Sequence, residues 1–152
     1  MKKIILILIL HSISIFLPGI LYAQGKLVHK QMNAAVELTH RIVFQVNSGD
    51  TLVHKQLMKQ LNNIASVAPG TKLEVVCHGP GLDMLLKEKS VVTDKIIRQS
   101  ASGVVFNACE FSMQERKVEK AQMITEVHYV PAGILQIVTR QEQGWSYIKS
   151  GF

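Results

Sequence analysis

Apolar residues gather in five short runs, at residues 41–46, 73–77, 104–108, 127–130 and 145–149, and the stretches between them repeat their apolar positions at helical spacing. The first run is rich in β-branched residues and closes on Asn47-Ser48-Gly49-Asp50, the composition of a buried strand ending in a turn. Asp50 is placed to cap a helix whose Leu57, Leu61, Ile64 and Ala65 form one stripe until Pro69-Gly70 stops it. The second run carries Glu74 in its middle, which predicts a strand less buried than the first and nearer a sheet edge. His78-Gly79-Pro80-Gly81 then turns the chain sharply.

Helical pieces over 82–86 and 92–100 lead through Gly103 to a third strand over 104–108, with Cys109 just past its end. A helix over 110–116 precedes the fourth strand, and Pro131 pre-sets the start of another helix, which reaches residue 143 and stops at Gly144 before the fifth strand. Each connection is long enough for a helical crossover. The pattern therefore predicts an α/β domain over residues 41–152: a single doubly wound, five-stranded parallel sheet with helices on both faces.

The first residues read differently. Lys2 and Lys3 precede apolar runs at 4–10 and 13–17, and Leu21-Tyr22-Ala23 offers a small residue at a cleavage position, which together predict a signal peptide over 1–23 and a protein exported to the periplasm. The rival reading, an uncleaved anchor, needs roughly 20 mostly apolar residues, whereas His11, Ser12, Ser14 and Pro18-Gly19 interrupt this run. No cysteine follows the cut to carry a lipid, so no membrane attachment is expected after cleavage. Residues 24–40 are polar and weakly periodic, as expected of a flexible N-terminal extension with a short helical piece around 34–38.

Charge narrows the function classes. The net charge of +6 falls to +4 once Lys2 and Lys3 are removed, and no basic stripe is interleaved with aromatic residues, so nucleic acid is not an expected partner. The sequence contains no G-x-S-x-G, no phosphate loop and no dinucleotide fingerprint, which sets aside the common hydrolase, kinase and dehydrogenase classes. No cofactor is implied.

In open parallel sheets, reactive groups collect beyond the carboxyl ends of the strands. That rule selects residues 47–50, 77–81, 107–112 and 131–133. Cys109 stands out. If Asn107 caps the following helix with Glu110 at its third position, the thiol lies in the first turn, where free N–H groups favour thiolate. In a second register Ser112 caps with Glu115, and Cys109 stays in the loop; the bland reading is a small buried residue closing a strand. Cys77 belongs to the strand pattern itself and reads as core. A Cys77–Cys109 disulfide requires α-carbons within about 7 Å. No C-x-x-C or H-x-x-x-H spacing supports a metal site among Cys77, His78 and Cys109, and His128 lies inside a strand. His78 is the side chain of its turn able to move a proton near neutral pH, and Gly79 and Gly81 could let backbone N–H groups face an anion.

The segments Glu74-Val-Val-Cys-His-Gly-Pro-Gly-Leu82, Val105-Phe-Asn-Ala-Cys-Glu110 with Met113, and Val130-Pro-Ala-Gly133 leading to Gly144-Trp-Ser-Tyr-Ile-Lys149 together resemble the DsrE/DsrF-like family over about residues 41–149. The resemblance implies a doubly wound subunit assembled as a homotrimer or homohexamer. In the sulfur-relay members it implies a cysteine after the third strand that carries persulfide sulfur, a position held here by Cys109. The expected function is then a sulfur-handling thiol protein, if active a sulfur carrier or sulfurtransferase-like protein rather than a hydrolase or dehydrogenase, with His78 as proton or charge support. Gly79, Gly81, Asn107, Glu110, Pro131 and Gly133 would line the site. Its partners would be sulfur donor and acceptor proteins or small sulfane-sulfur compounds. The alternatives are a non-catalytic oligomeric module that binds a small molecule or a protein, and a redox protein cycling a Cys77–Cys109 disulfide.

Overall fold

A computed structural model describes residues 39–151. The expected signal peptide and the helical piece around 34–38 lie outside the described residues. The chain runs β1 (Arg41–Val46), α1 (Thr51–Val67), β2 (Lys72–Cys77), a 3₁₀ segment (Gly79–Leu85), α2 (Thr93–Ala101), β3 (Val105–Cys109), α3 (Glu110–Glu115), a 3₁₀ turn (Lys120–Gln122), β4 (His128–Val130), α4 (Gly133–Glu142) and β5 (Ser146–Ser150).

All four strand pairings are parallel, in the order β4-β3-β2-β1-β5. The chain steps outward from β1 to β4, then returns through α4 to set β5 on the other side of β1. The doubly wound α/β architecture read from the sequence is the one observed. Its two layers are unequal. One face of the sheet presents Phe44, Val46, Leu73, Val75, Cys77, Phe106 and Ala108 to α1 and α2, and with Leu57, Met58, Leu61, Ile96 and the 3₁₀ residues Leu82, Met84 and Leu85 they form the main core. Among the described residues, the apolar cluster on the opposite face is small: Val43 and Val76 against Ile137 of α4 and Trp145.

Local chemistry explains the element ends. The Asp50 carboxylate caps α1 by accepting the Leu52 N–H at 2.8 Å. Gly81 lies against β1, where an added β-carbon would meet the Val46 carbonyl oxygen at 2.1 Å, so no other residue fits without moving the backbone. Pro131 stands just ahead of α4, whose N-cap is Ala132.

Glu74 corrects one expectation. It lies on β2, a central strand flanked by β1 and β3, and is 1 % exposed. Its carboxylate is tolerated there because three donors meet it: Asn107 Nδ2 at 2.8 Å, Gln136 Nε2 at 2.6 Å and Arg140 Nε at 2.5 Å. A buried charge is expensive unless paired and hydrogen-bonded, and here it is both. The network ties α4 to the thinner face of the sheet, and Arg140 also stacks over the Trp145 ring at 4.9 Å.

Candidate functional site

Cys109 closes β3 and is itself the N-cap of α3, a register that neither sequence alternative contained. Asn107 is not a cap: it is buried inside β3, and its amide reaches Glu74. Ser112 is not a cap either but stands three residues into the helix, at the position whose side chain points back toward an N-cap.

The Cys109 thiol is 5 % exposed and lies on the α4 face of the sheet. There the N–H of Gly133, at the first turn of α4, donates to Sγ at 3.2 Å. A β-carbon on Gly133 would sit 3.1 Å from Cys109 Cβ, 3.2 Å from Val76 Cγ1 and 3.4 Å from His78 Cβ, so the missing side chain is what lets α4 approach the sulfur. Burial pushes the thiol's pKa up, but the Gly133 N–H, the N–H and hydroxyl of Ser112 and the Phe111 N–H outweigh it and hold Cys109 below the ordinary cysteine value. The Phe111 N–H is shared with the Pro131 carbonyl, at 3.2 Å. Pro131 thereby fastens the approach to α4 onto α3.

The turn after β2 is held by the same helix. Gly79, at φ +51°, donates its N–H to Ser112 Oγ at 2.9 Å, and its carbonyl accepts from Arg116 Nη1 at 2.8 Å. Arg116 Nη2 also meets the Asp83 carboxylate at 2.6 Å. Burial works against that carboxylate, yet Arg116 and Lys89 keep it below the usual range. His78 is half-buried, and desolvation lowers its pKa, which favours a neutral ring near pH 7. One ring nitrogen, Nε2, lies 2.7 Å from Gln45 Nε2, and the Tyr147 hydroxyl bonds Gln45 Oε1 in turn. With the Gln45 amide donating, His78 carries its proton on Nδ1.

The structure thus brings Cys109, His78, Gly79, Pro131 and Gly133 to one corner of the sheet. Gly81 serves packing against β1, Asn107 serves the Glu74 network, and the Glu110 carboxylate is engaged by Lys120 at 2.9 Å. Cys77 lies on the opposite face, fully buried in the main core, where burial raises its pKa far above the ordinary value. Its register partner on β3 is Ala108, and successive strand residues point to opposite faces, so Cys77 and Cys109 cannot join across the sheet. Both are free thiols. The disulfide cycle and a metal site shared by the two cysteines both fail on this geometry. Among the described residues no three His, Cys, Asp or Glu side chains converge as metal ligands would, and no helix is long and apolar enough to cross a membrane.

Sequence reasoning missed Ser112 as a thiol neighbour, together with Gln45, Arg116 and the Gln136–Arg140 pair. Ser112 and Arg116 stand four apart, one helical turn, which places them on one face of α3; that spacing was the available signal.

Known proteins share the fold. A solved structure of a protein of unknown function, MTH1491 from Methanobacterium thermoautotrophicum, superposes with a TM-score of 0.70 at 25% sequence identity, over 72% of this chain and 98% of that one. No curated protein matches. The model of the DsrE/DsrF-like family matches residues 40–150, most of the chain and all five strands. The chain belongs to the DsrE/DsrF-like family.

Proposed function

We propose that this protein accepts sulfane sulfur on Cys109 and passes it on as a persulfide, a specific form of the sulfur-relay role of its family. The observation that carries the reading is the Gly133 N–H at 3.2 Å from Cys109 Sγ, which favours the thiolate at a strand end. The thiolate attacks the outer sulfur of a donor R–S–SH. A new S–S bond forms to Cys109, the donor's S–S bond breaks, R–S⁻ departs with the electron pair, and the product is Cys109–S–SH. The neutral His78 ring beside the site supplies a donor for a departing thiolate without adding a fixed charge. Donor and acceptor are sulfur-carrying proteins or small sulfane-sulfur compounds. Export to the periplasm belongs to the same proposal.

Phe111, Ile134, Leu135 and Val138 are 59, 53, 66 and 41% exposed, and all four belong to the two helices that meet at Cys109. That apolar surface supports assembly as a homotrimer or homohexamer. It is also the observation favouring the second reading, a non-catalytic oligomeric module in which Cys109 only lines a binding site.

Intact-mass analysis of the wild type, Cys109→Ser and Cys77→Ser after exposure to polysulfide separates the two. A sulfur increment lost only in Cys109→Ser supports the carrier; equal increments in all three, or none in any, shift the function to the binding module.

A further inference from the structure

Tyr147 stands on the edge strand β5, on the α4 face of the sheet. Its register partner is Val43, and Gln45, two residues further along β1, points to that same face. The Tyr147 hydroxyl reaches across and donates to Gln45 Oε1. With its oxygen taken, the Gln45 amide turns its N–H groups toward His78, whose Nε2 lies 2.7 Å away. A second arrangement turns the amide over, so that Gln45 Oε1 accepts from a His78 Nε2–H and the phenol oxygen accepts from the amide. It deprives the Tyr147 proton of its amide acceptor and replaces an O–H···O bond by a longer N–H···O one. The placement of the His78 proton is therefore decided at Tyr147, on the edge of the sheet.

The two nitrogens of an imidazole point in nearly opposite directions. His78 Nε2 is committed to β1, so Nδ1 faces away from β1, and β3 with Cys109 lies on that other side of β2. The β-carbons of His78 and Cys109 flank the space beside Gly133, at 3.4 and 3.1 Å from the position its own β-carbon would take. Among the described residues no group bonds His78 Nδ1.

We propose that Tyr147 and Gln45 are positioning residues for the sulfur transfer: they hold the His78 proton on Nδ1, where it is a hydrogen-bond donor to the thiolate departing from the Cys109 site. This rests on the reading of Cys109 as the sulfur acceptor. As the new S–S bond forms to Cys109 and the donor's S–S bond breaks, R–S⁻ leaves with the electron pair, and the proton stays on Nδ1 throughout. A ring protonated on Nε2 would turn a bare lone pair to the same anion and oppose its departure. Tyr147, 40 % exposed and on a different strand from either ring or sulfur, thus sets the polarity of the site from outside it.

The tautomer is read from the ¹⁵N shifts of the His78 ring at about pH 8.5, where the ring is neutral, with His78→Gln assigning the signals. In the wild type Nδ1 carries the proton. Tyr147→Phe, which keeps the ring and removes the hydroxyl, lowers the ratio of Nδ1–H to Nε2–H about tenfold, as for the loss of one hydrogen bond, and Gln45→Met does the same. An Nε2–H ring in the wild type, or an unchanged ratio in either variant, overturns the proposal. Single-turnover sulfur uptake is then timed with an alkyl and an aryl persulfide. Tyr147→Phe should slow the alkyl donor about tenfold and the aryl donor, whose thiolate is stabilised by its own ring, much less. Equal slowing of the two donors makes the effect structural and also overturns the proposal. A shifted tautomer in proteins that take up no sulfur from either donor removes the carrier function and leaves the hold of Tyr147 on His78 standing.

Discussion

The two cysteines differ by one register step on neighbouring strands, yet they occupy opposite chemical settings. Cys77 faces the layer built by α1, α2 and the 3₁₀ segment, in one apolar cluster with Phe44, Leu57 and Phe106, and burial raises its pKa. Cys109 faces the α4 layer, beside donor N–H groups and a hydroxyl, and its pKa moves down where that of Cys77 moves up. What separates an inert thiol from a poised one is therefore the parity of a single strand position. One face of the sheet is an apolar core. The other is a polar lining whose buried charge, Glu74, fixes the helix that delivers the Gly133 N–H.

The largest effect expected from that contrast is kinetic. With native protein at neutral pH, iodoacetamide should modify Cys109 at least about a thousandfold faster than Cys77. The Cys77 thiol must wait for the central strands to open, which costs several kcal/mol. Peptide mapping after timed labelling measures the ratio; comparable rates at the two positions would erase the distinction between the faces.

Next in size is the charge that anchors the thinner face. Arg140→Met leaves the Glu74 carboxylate, 1 % exposed, with only the neutral amides of Asn107 and Gln136. Removing one partner of a buried pair costs about 3–5 kcal/mol, and because the Arg140 side chain is 29% exposed the lower end, about 3 kcal/mol, is expected. Arg98→Met, on the exposed side of α2, should change stability by less than about 0.5 kcal/mol. Equal losses from the two substitutions in urea melts would reduce the Glu74 network to surface electrostatics.

Smaller, but closer to the chemistry, is Gly133→Ala. The added carbon lies 3.1 Å from Cys109 Cβ and 3.2 Å from Val76, so α4 must withdraw by a few tenths of an ångström and its N–H must leave Sγ. Overpacking of this kind costs about 1–2 kcal/mol, and the Cys109 alkylation midpoint should rise with it. A destabilised variant with an unmoved midpoint would detach the Gly133 N–H from the thiolate.

These contrasts also mark what the sequence made legible. The runs at 41–46 and 73–77 could be read as strands because β1 and β2 are covered on both faces and are apolar almost throughout. Cys109 was legible because a parallel sheet places its strand ends, and hence its reactive corner, by topology. Glu74 was misread because its partners Gln136 and Arg140 lie 62 and 66 residues further along, and local pattern carries no trace of them. The cap of α3 was misassigned for a related reason: Asn107 is a good cap by type, but inside β3 its side chain is already committed to Glu74. Ser112 was seen as a cap and missed as a thiol neighbour, and the Gly79 N–H that holds its hydroxyl arrives from another loop.

The smallest expected effect gives the comparison its sign. The folded-state pKa of Cys77 is raised by burial, so below the ordinary thiol value both folded and unfolded chains hold the proton and nothing is lost. Above that value the unfolded chain ionises while the folded one cannot, and stability falls as pH climbs, by at most about 1.4 kcal/mol per pH unit. Cys109 runs the other way: its folded pKa is lowered, so its contribution is present above the ordinary value and is lost as pH falls through the folded value. Stability measured between pH 6 and pH 9.5 should therefore decline less at the alkaline end in Cys77→Val than in wild type, by roughly 1 kcal/mol. In Cys109→Ser it should decline more. Parallel curves for the two variants would mean that the faces of the sheet treat a thiol alike, and the chemical reading of strand parity would then fall.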